Sequence, residues 1–274
     1  MKNTNTTIFE TGGPRSRRRI RIFTTISTIV LVSLIFLAVY QFYLQGQLDP
    51  LLWEWLSNKH AWSFLLDGLV GTLSSALGSS IIAIIAGFLV MLMRTSTHRL
   101  LRWPARIFIE FGRGTPTLLL IYFMFTVPGS FGLHIPSYWQ LTAPIAVYAT
   151  AVVAEIYRTG INAIPTGQKE AAAAVGLSTF TTYKHIIIPQ TLRIITPTLM
   201  AQLVVVVKDT TFGYVVSYAE LMHQGDVLRA TFHSLLPTYL VIALIYIAVN
   251  ALISQTAAYI ARKHNITLLG SNHE

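Results

Sequence analysis

Cysteine is absent from this chain of 274 residues, and charged residues make up only 11% of it. Without cysteine there can be no disulfide, no thiolate nucleophile and no cysteine-based zinc site. Soluble domains carry roughly 25% charged residues, because their surface faces water. The shortage of charge therefore excludes an ordinary soluble enzyme. With 53% hydrophobic residues and a mean hydropathy of +0.56, the composition indicates a protein that crosses a membrane several times.

Motifs of catalysis and nucleotide binding are also missing. The 8 histidines form no HExxH motif and no i,i+4 pair, so we expect no bound metal and no resident cofactor. No GxSxG motif offers a serine nucleophile, which argues against an intramembrane enzyme. Because no GxxxxGK[ST] phosphate loop is present, the energy for any transport must come from a partner protein or an ion gradient.

Six apolar stretches are long enough to form membrane-spanning helices, each of which needs about 20 residues. They cover residues 20–43, 68–93, 107–127, 141–157, 192–207 and 236–260. The chain is therefore predicted to be an all-α integral membrane protein. Since the number of spans is even, both termini lie on the same side of the membrane.

The basic residues predict which side that is, because arginine and lysine mark cytoplasmic loops. They concentrate before the first span, between the second and third, between the fourth and fifth, and after the sixth. The basic residues at these places include Arg15, Arg17, Arg18, Arg19, Arg94, Arg99, Arg102, Arg106, Lys169, Lys184, Arg262 and Lys263. We therefore predict that both termini are cytoplasmic and that residues 1–19 form a basic tail, which accounts for much of the net charge of +9.

Two segments near the start of the chain have more than one interpretation. The arginines before the first span resemble a twin-arginine export signal, but no Ala-x-Ala cleavage site follows and five further spans come after it. We therefore predict an uncleaved first helix. Residues 49–65 contain three tryptophans and are expected to lie at the membrane interface, in preference to forming a ligand-binding surface.

The predicted cytoplasmic connection of residues 159–190 has the composition of folded structure. Residues 169–175 include four consecutive alanines and favour a helix, which Gly176 can end in left-handed geometry. Ser178 can cap a second short helix, and Pro189 is expected to end it before the next span. The small, flat alanine face suits the docking of another protein. The alternative is a helical hairpin that only links two spans.

The same connection contains a motif that identifies a family. Glu170, Ala171, Ala172, Gly176, Ile186 and Pro189 stand at the spacing EAA-x3-G-x9-I-x-x-P. This resembles the EAA signature of ABC importer permeases, with isoleucine at Ile188 in place of the usual leucine. The segments 68-GLVGTL, 113-RGTP, 154-AEIYRTGI, 164-IPTGQ, 189-PQTLR and 208-KDT resemble the polar amino acid branch in its order, across residues 67–262.

The resemblance implies a type I importer core of five helices preceded by one additional helix. It implies a permease subunit in a prokaryotic cell membrane, which pairs with a second permease chain or with itself. Two ATPase subunits would hydrolyse ATP, an extracellular binding protein would deliver the substrate, and this chain would perform no bond chemistry. The six signature residues would dock in a groove of the ATPase, with Glu170 paired to a basic residue there. The segments FETGGPRSRRR and GQLDP resemble actinobacterial glutamate permeases, which implies glutamate as the substrate.

Two pairs of opposite charges lie within the predicted spans, where a charge costs about 2.5–3.5 kcal/mol at the centre of the membrane. Glu110 and Arg113 are three residues apart, as are Glu155 and Arg158, so each pair shares a helical face. They can form two local ion pairs. Alternatively, all four charges can join two spans in a network at the cytoplasmic gate.

Two further motifs are candidates for the transport pathway. Lys208 and Asp209, followed by Thr210, lie at membrane depth, because about 15 residues of helix after Arg193 rise roughly 22 Å. They are expected to face each other or a wet pathway, with Lys208 attracting an anionic substrate or serving a gating or structural role. In 113-RGTP, Pro116 follows Thr115 and breaks the helical hydrogen bonds, which is tolerated where a span lines a cavity.

A second class of function uses the same charges differently. An ion-coupled secondary amino acid transporter could use Glu110, Glu155 and Asp209 as proton or sodium sites. This alternative predicts uptake that collapses when an uncoupler is added at constant ATP. It leaves the alanine-rich connection without a purpose.

Overall fold

The computed structural model describes residues 14–263, so the first thirteen residues of the predicted basic tail lie outside the described range. Within that range the secondary structure is helical. The α-helices are α1 Pro14–Leu44, α2 Lys59–Thr95, α3 Arg99–Gly114, α4 Thr117–Ser130, α5 Ser137–Asn162, α6 Thr166–Ala174, α7 Thr179–Thr182, α8 Ile188–Asp209, α9 Leu221–Phe232 and α10 Leu235–Lys263. Two 3-10 helices, Pro50–Ser57 and Thr210–Val216, and a π-helix, Tyr183–Ile187, complete them.

The second span starts earlier than its hydropathy indicates. The tryptophan-rich segment forms a 3-10 helix and the first turns of α2, which begins at Lys59. The Asn58 side chain caps α2 by accepting a hydrogen bond of 2.9 Å from the His60 N–H. Because asparagine satisfies an unpaired N–H at a helix start, the helix begins before the apolar run does.

The third predicted span is not one helix. α3 and α4 meet at Thr115 and Pro116 with an angle of 102° between them. Proline lacks an N–H and disfavours helical geometry in the residue before it, so the break at Pro116 follows from the sequence. The single span predicted over residues 107–127 is therefore wrong as a continuous helix, whereas the break within 113-RGTP is confirmed.

The fifth span also differs from its prediction. α7, the π-helix and α8 follow one another without interruption, so Pro189 does not end the short helix after Ser178. Pro189 is instead the second residue of α8, directly after the π-helix, where the Ile188 N–H donates to the Tyr183 carbonyl. α8 continues at its far end as the 3-10 helix Thr210–Val216.

The centre of the fold is the pair of helices α2 and α5. Ser75, near the middle of α2, and Thr142, near the start of α5, have their hydroxyls 3.0 Å apart. Further along both helices, the rings of Phe88 and Tyr157 meet edge to face at 5.5 Å between centroids. Because the contacts advance in the same direction along both helices, α2 and α5 run parallel. Small and hydroxyl residues allow this close approach, as in membrane helix pairs in general.

This arrangement assigns the other elements to two faces. α2 and α5 end at the same face, where α6 follows α5 and α3 follows α2. α9 packs against the start of α2 at the opposite face, where an added Cβ on Gly68 would lie 2.8 Å from the Gln224 side chain. Nearly every described side chain of α1 is exposed, so this helix lies outside the packed core.

Candidate coupling loop and transport pathway

The connection between α5 and α8 has the predicted helix–glycine–helix form. Gly176 has φ +75°, and its N–H donates to the Ala173 carbonyl at 3.0 Å. The Leu177 N–H donates to the Ala172 carbonyl at 3.0 Å, which completes a Schellman motif at the end of α6. The Ser178 hydroxyl accepts a hydrogen bond of 3.2 Å from the Thr181 N–H and caps α7 as predicted. We call this predicted connection, residues 159–190, the coupling loop; its first residues form the last turn of α5.

The coupling loop presents both polar and apolar side chains to its surroundings. Glu170, Ala171, Gly176 and Pro189 are exposed, and Ile186 is half-buried, whereas Ala172 packs inward. On either side of the glycine turn, Val175 and Phe180 are 74% and 75% exposed. Exposed apolar side chains on a loop tip mark a surface that another protein covers. The motif analysis did not single out Val175 and Phe180, which flank the turn without belonging to the signature.

The two predicted ion pairs have different outcomes. Arg158 donates to Glu155 with both Nη2 and Nε, at 2.8 and 2.9 Å. Glu110 and Arg113 are exposed, and among the described side chains, residues 18–260, the ion pairs are Arg158–Glu155 and Arg229–Asp226. The structure therefore contains the local pair on α5 and leaves the charges on α3 unjoined, so the four-charge network is not formed in this conformation.

The two pathway motifs meet at the break between α3 and α4. The Thr117 hydroxyl, at the first position of α4, donates to Asp209 Oδ2 at 3.1 Å. This bond joins the residue directly after 113-RGTP to the aspartate of 208-KDT. The positive end of the α4 dipole also favours a carboxylate there. Lys208 is exposed and forms no ion pair with Asp209, while Thr210 is buried with its hydroxyl bonded to the Val207 carbonyl at 2.7 Å.

A buried carboxylate that motif analysis missed joins the start of α9 to α10. Glu220 is fully buried and caps α9 by accepting hydrogen bonds from the N–H groups of Met222 and His223, at 2.8 and 2.7 Å. It also accepts a bond of 2.9 Å from the Tyr246 hydroxyl on α10. The neighbouring Leu221 N–H donates to the Thr72 hydroxyl on α2 at 3.1 Å. Glu220 was missed because glutamate is an unusual cap and the short 217–220 segment shows no motif.

α9 is fastened to α10 a second time. The Asp226 carboxylate accepts hydrogen bonds from Arg229 at 2.8 Å and from the Tyr239 hydroxyl at 2.9 Å. These bonds, the one from Arg229 above all, hold the pKa of Asp226 below its ordinary value. In the part of the chain that the structure describes, no group of three His, Asp or Glu side chains is arranged to hold a metal ion.

Comparisons with known proteins place the chain in a family. Residues 79–265 match the family model of the binding-protein-dependent transport system inner membrane component. The chain is 35% identical over 222 residues to the glutamate transport system permease protein GluD of Corynebacterium glutamicum, covering 80% of this chain and 81% of that one. It is 31% identical over 201 residues to the arginine transport system permease protein ArtQ of Bacillus subtilis, covering 73% and 92%.

The fold is likewise shared with solved structures. A chain of an amino acid ABC transporter crystallised with histidines superposes with a TM-score of 0.73 at 29% identity, covering 76% of this chain and 98% of that one. An inward-facing structure of the MetNI methionine transporter gives a TM-score of 0.64 at 18% identity, covering 76% and 99%, and shows the fold alone. The comparisons give no support to an ion-coupled secondary transporter. The chain belongs to the family of inner membrane components of binding-protein-dependent transport systems, and is a multi-pass permease subunit of an ABC importer.

Proposed function

We propose that the chain is a permease subunit of an ATP-driven importer of glutamate. The observation that carries this proposal is the 35% identity to a glutamate permease over 80% of the chain. A glutamate/aspartate import permease of Escherichia coli O157:H7 is also 28% identical over 218 residues. Lys208 is exposed and is the neighbour of Asp209, which contacts the start of α4. It offers a positive charge that a dicarboxylate substrate would meet at membrane depth.

The coupling loop is proposed to dock on the ATPase. Its exposed Glu170 supplies a charge for a basic partner, and Val175 and Phe180 supply apolar contact area on either side of the glycine turn. The loop continues directly from the last turn of α5, and α5 packs along α2. A displacement of the loop is therefore transmitted to the centre of the fold. Within this proposal the loop faces the cytoplasm, as do both termini, in agreement with the basic residues of the loops.

The remaining partners complete the importer. An extracellular binding protein delivers the amino acid to the face that carries α9, and two ATPase subunits bind the opposite face. A second permease chain, different from this one or identical to it, encloses the pathway together with α4 and α8. The exposed apolar side chains of α4, such as Leu118, Tyr122 and Phe123, provide a surface for this contact.

The test is the uptake of labelled glutamate by cells in which this chain is deleted, compared with cells complemented by the wild type. We expect uptake to fall on deletion and to return on complementation. Unlabelled glutamate should compete fully, aspartate or glutamine less, and arginine not at all.

Two outcomes separate the substrate from the mechanism. If glutamate uptake persists while uptake of another amino acid falls and is restored by complementation, the chain is an importer permease for that other amino acid. If deletion changes the uptake of no amino acid, the assignment to amino acid import itself is wrong.

A further inference from the structure

Helix α3 carries three different faces along its length. Ala105, Ile109 and Gly112 are buried, and an added Cβ on Gly112 would lie 2.6 Å from the Ala151 side chain on α5. This face fixes α3 to the core, so its other two faces point away from the core.

One of the outward faces is apolar and strongly exposed. Leu100, Trp103, Ile107 and Phe111 follow one another at helical spacing and are 89%, 67%, 53% and 57% exposed. With Arg99 they line an open groove of about 670 Å³. Side chains of this size are not left against water in a stable protein, so lipid or another chain covers them.

The other outward face is basic. Arg99, Arg102 and Arg106 stand at spacings of three and four residues, so they form a row beside the apolar face. All three are exposed, and none has an acidic partner among the side chains of residues 18–260. The first acidic residue of α3 is Glu110, so the first half of the helix presents uncompensated positive charge.

The bend before α4 determines how these two faces meet the membrane. α4 lies at 102° to α3, so the two helices cannot cross the membrane together as one straight span. An amphipathic helix that lies in the interface inserts its apolar face among acyl chains and keeps its arginines at the headgroups. Trp103 suits the same depth, because tryptophan concentrates at membrane interfaces.

We propose that this exposed face of α3, comprising the arginine row and the apolar row, binds anionic phospholipids of the cytoplasmic leaflet. Phosphate headgroups complement the arginines, and acyl chains fill the groove. A second copy of the chain is a poor occupant, because a two-fold contact over this face would collect six arginines in one interface with no acidic residue from the first half of α3 to offset them. The leaflet rests on the orientation proposed above, whereas the lipid chemistry does not depend on which amino acid is transported.

The test is lipid binding by the purified full chain in detergent, followed by native mass spectrometry. The probes are dioleoylphosphatidylglycerol, which is anionic, and dioleoylphosphatidylcholine, which is not. The test variant is R99Q/R102Q/R106Q, and the matched control, R99K/R102K/R106K, changes the same three residues but keeps their positive charges. Each arginine near a headgroup contributes a factor of about five to affinity.

We expect the wild type to bind phosphatidylglycerol more tightly than phosphatidylcholine. The α3 variant should lose phosphatidylglycerol affinity by about tenfold or more, with phosphatidylcholine binding unchanged, whereas the control should lose less than about threefold. A second variant, W103S, should weaken binding of both lipids, because it shortens the apolar row. Unchanged melting temperatures in lipid-free detergent would show that the variants are folded.

Three results would overturn the proposal. The wild type shows no preference for the anionic lipid, or the α3 variant and the control lose affinity equally. In the third, phosphatidylglycerol affinity is unchanged in the α3 variant while co-purification of the ATPase or of a second permease chain is lost, which would make this face a protein contact. The lipid-binding experiment does not depend on glutamate uptake, so a negative result would overturn this proposal without contradicting the proposed substrate.

Discussion

Among single residues, Glu220 has the largest structural role that the hydrogen bonds reveal. Its carboxylate is fully buried and accepts hydrogen bonds from two N–H groups of α9 and from Tyr246 on α10. A buried carboxylate is tolerated only when it is well paired. Glu220 therefore holds the start of α9 at a defined place against the helices that enclose it.

Replacing Glu220 by alanine should destabilise the protein strongly. The variant loses a helix cap, worth about 1 kcal/mol, and the half-buried Tyr246 hydroxyl loses its acceptor, at a cost of about 1–3 kcal/mol. We expect a loss of about 2–4 kcal/mol for Glu220→Ala and a smaller loss for Glu220→Gln, whose amide oxygen can still accept. The measurement is denaturation of the purified chain in detergent. The control is Glu54→Ala at an exposed glutamate, and equal losses at both sites would contradict the assignment.

The pair Glu155–Arg158 has a smaller expected role. The Glu155 side chain is 17% exposed and the Arg158 side chain is 39% exposed, so the arginine is not fully buried and does not depend on Glu155 alone to stabilise its charge. Because the charges on α3 do not join this pair, we expect Glu155→Gln to lower stability by less than about 1 kcal/mol and to keep uptake within about twofold of wild type. Uptake by cells with matched levels of the variant is the measurement. A large loss of uptake in an assembled importer would instead support the four-charge gate.

At the scale of elements, the coupling loop is the clearest case of a sequence pattern that dictates its own geometry. Ala172, Ala173, Gly176 and Leu177 form the two bonds of the Schellman motif, which needs a left-handed residue at Gly176. No atom lies within 4 Å of an added Cβ at Gly176, so the requirement is conformational and not steric.

Gly176→Leu is expected to abolish uptake while membrane insertion remains intact. A leucine in left-handed geometry costs about 1–2 kcal/mol, which shifts the turn between α6 and α7 and displaces Val175 and Phe180. We would measure uptake, together with co-purification of the ATPase. The control is Gly46→Leu, between α1 and the first 3-10 helix, where the glycine has a similar left-handed φ of +66° and equally open surroundings. Normal uptake by Gly176→Leu would contradict the role of the loop in coupling.

At the scale of the whole molecule, the residues of the packed core differ in kind from those on the exposed surfaces. α2 and α5 are joined through small residues and buried hydroxyls, whereas α1, α3 and α4 present large apolar side chains outward. A single chain with so much uncovered apolar surface needs lipid and other subunits around it. This agrees with a permease that functions only as part of an importer.

The energy source can be tested on this whole assembly. The vesicles contain the complete importer with its binding protein. We expect uptake to require ATP on the side of the membrane that carries the ATPase subunits, and to persist when an uncoupler removes the proton gradient. The chain contains no phosphate loop, and in the proposed mechanism ATP acts through the partner ATPase and the coupling loop. Uptake that stops with the uncoupler at constant ATP would revive the ion-coupled alternative.

Much of this protein follows from its sequence alone. The apolar stretches determine the spans, because a membrane demands about 20 apolar residues per helix. Local chemistry determines the Gly176 turn, the Ser178 cap and the break at Pro116, since each depends on residues within one or two helical turns. The EAA motif identifies the family for the same reason, being a local pattern.

Only the tertiary structure decided which distant residues meet. Three features depend on how helices far apart in the chain are packed. They are the bond between Thr117 and Asp209, the burial of Glu220 against Tyr246, and the absence of an ion-pair partner for Glu110 among the side chains of residues 18–260. The 102° between α3 and α4 likewise needs the core, because proline permits a bend without setting its angle. Hydropathy shows how apolar a segment is, whereas the orientation of each helix depends on its contacts with the other helices.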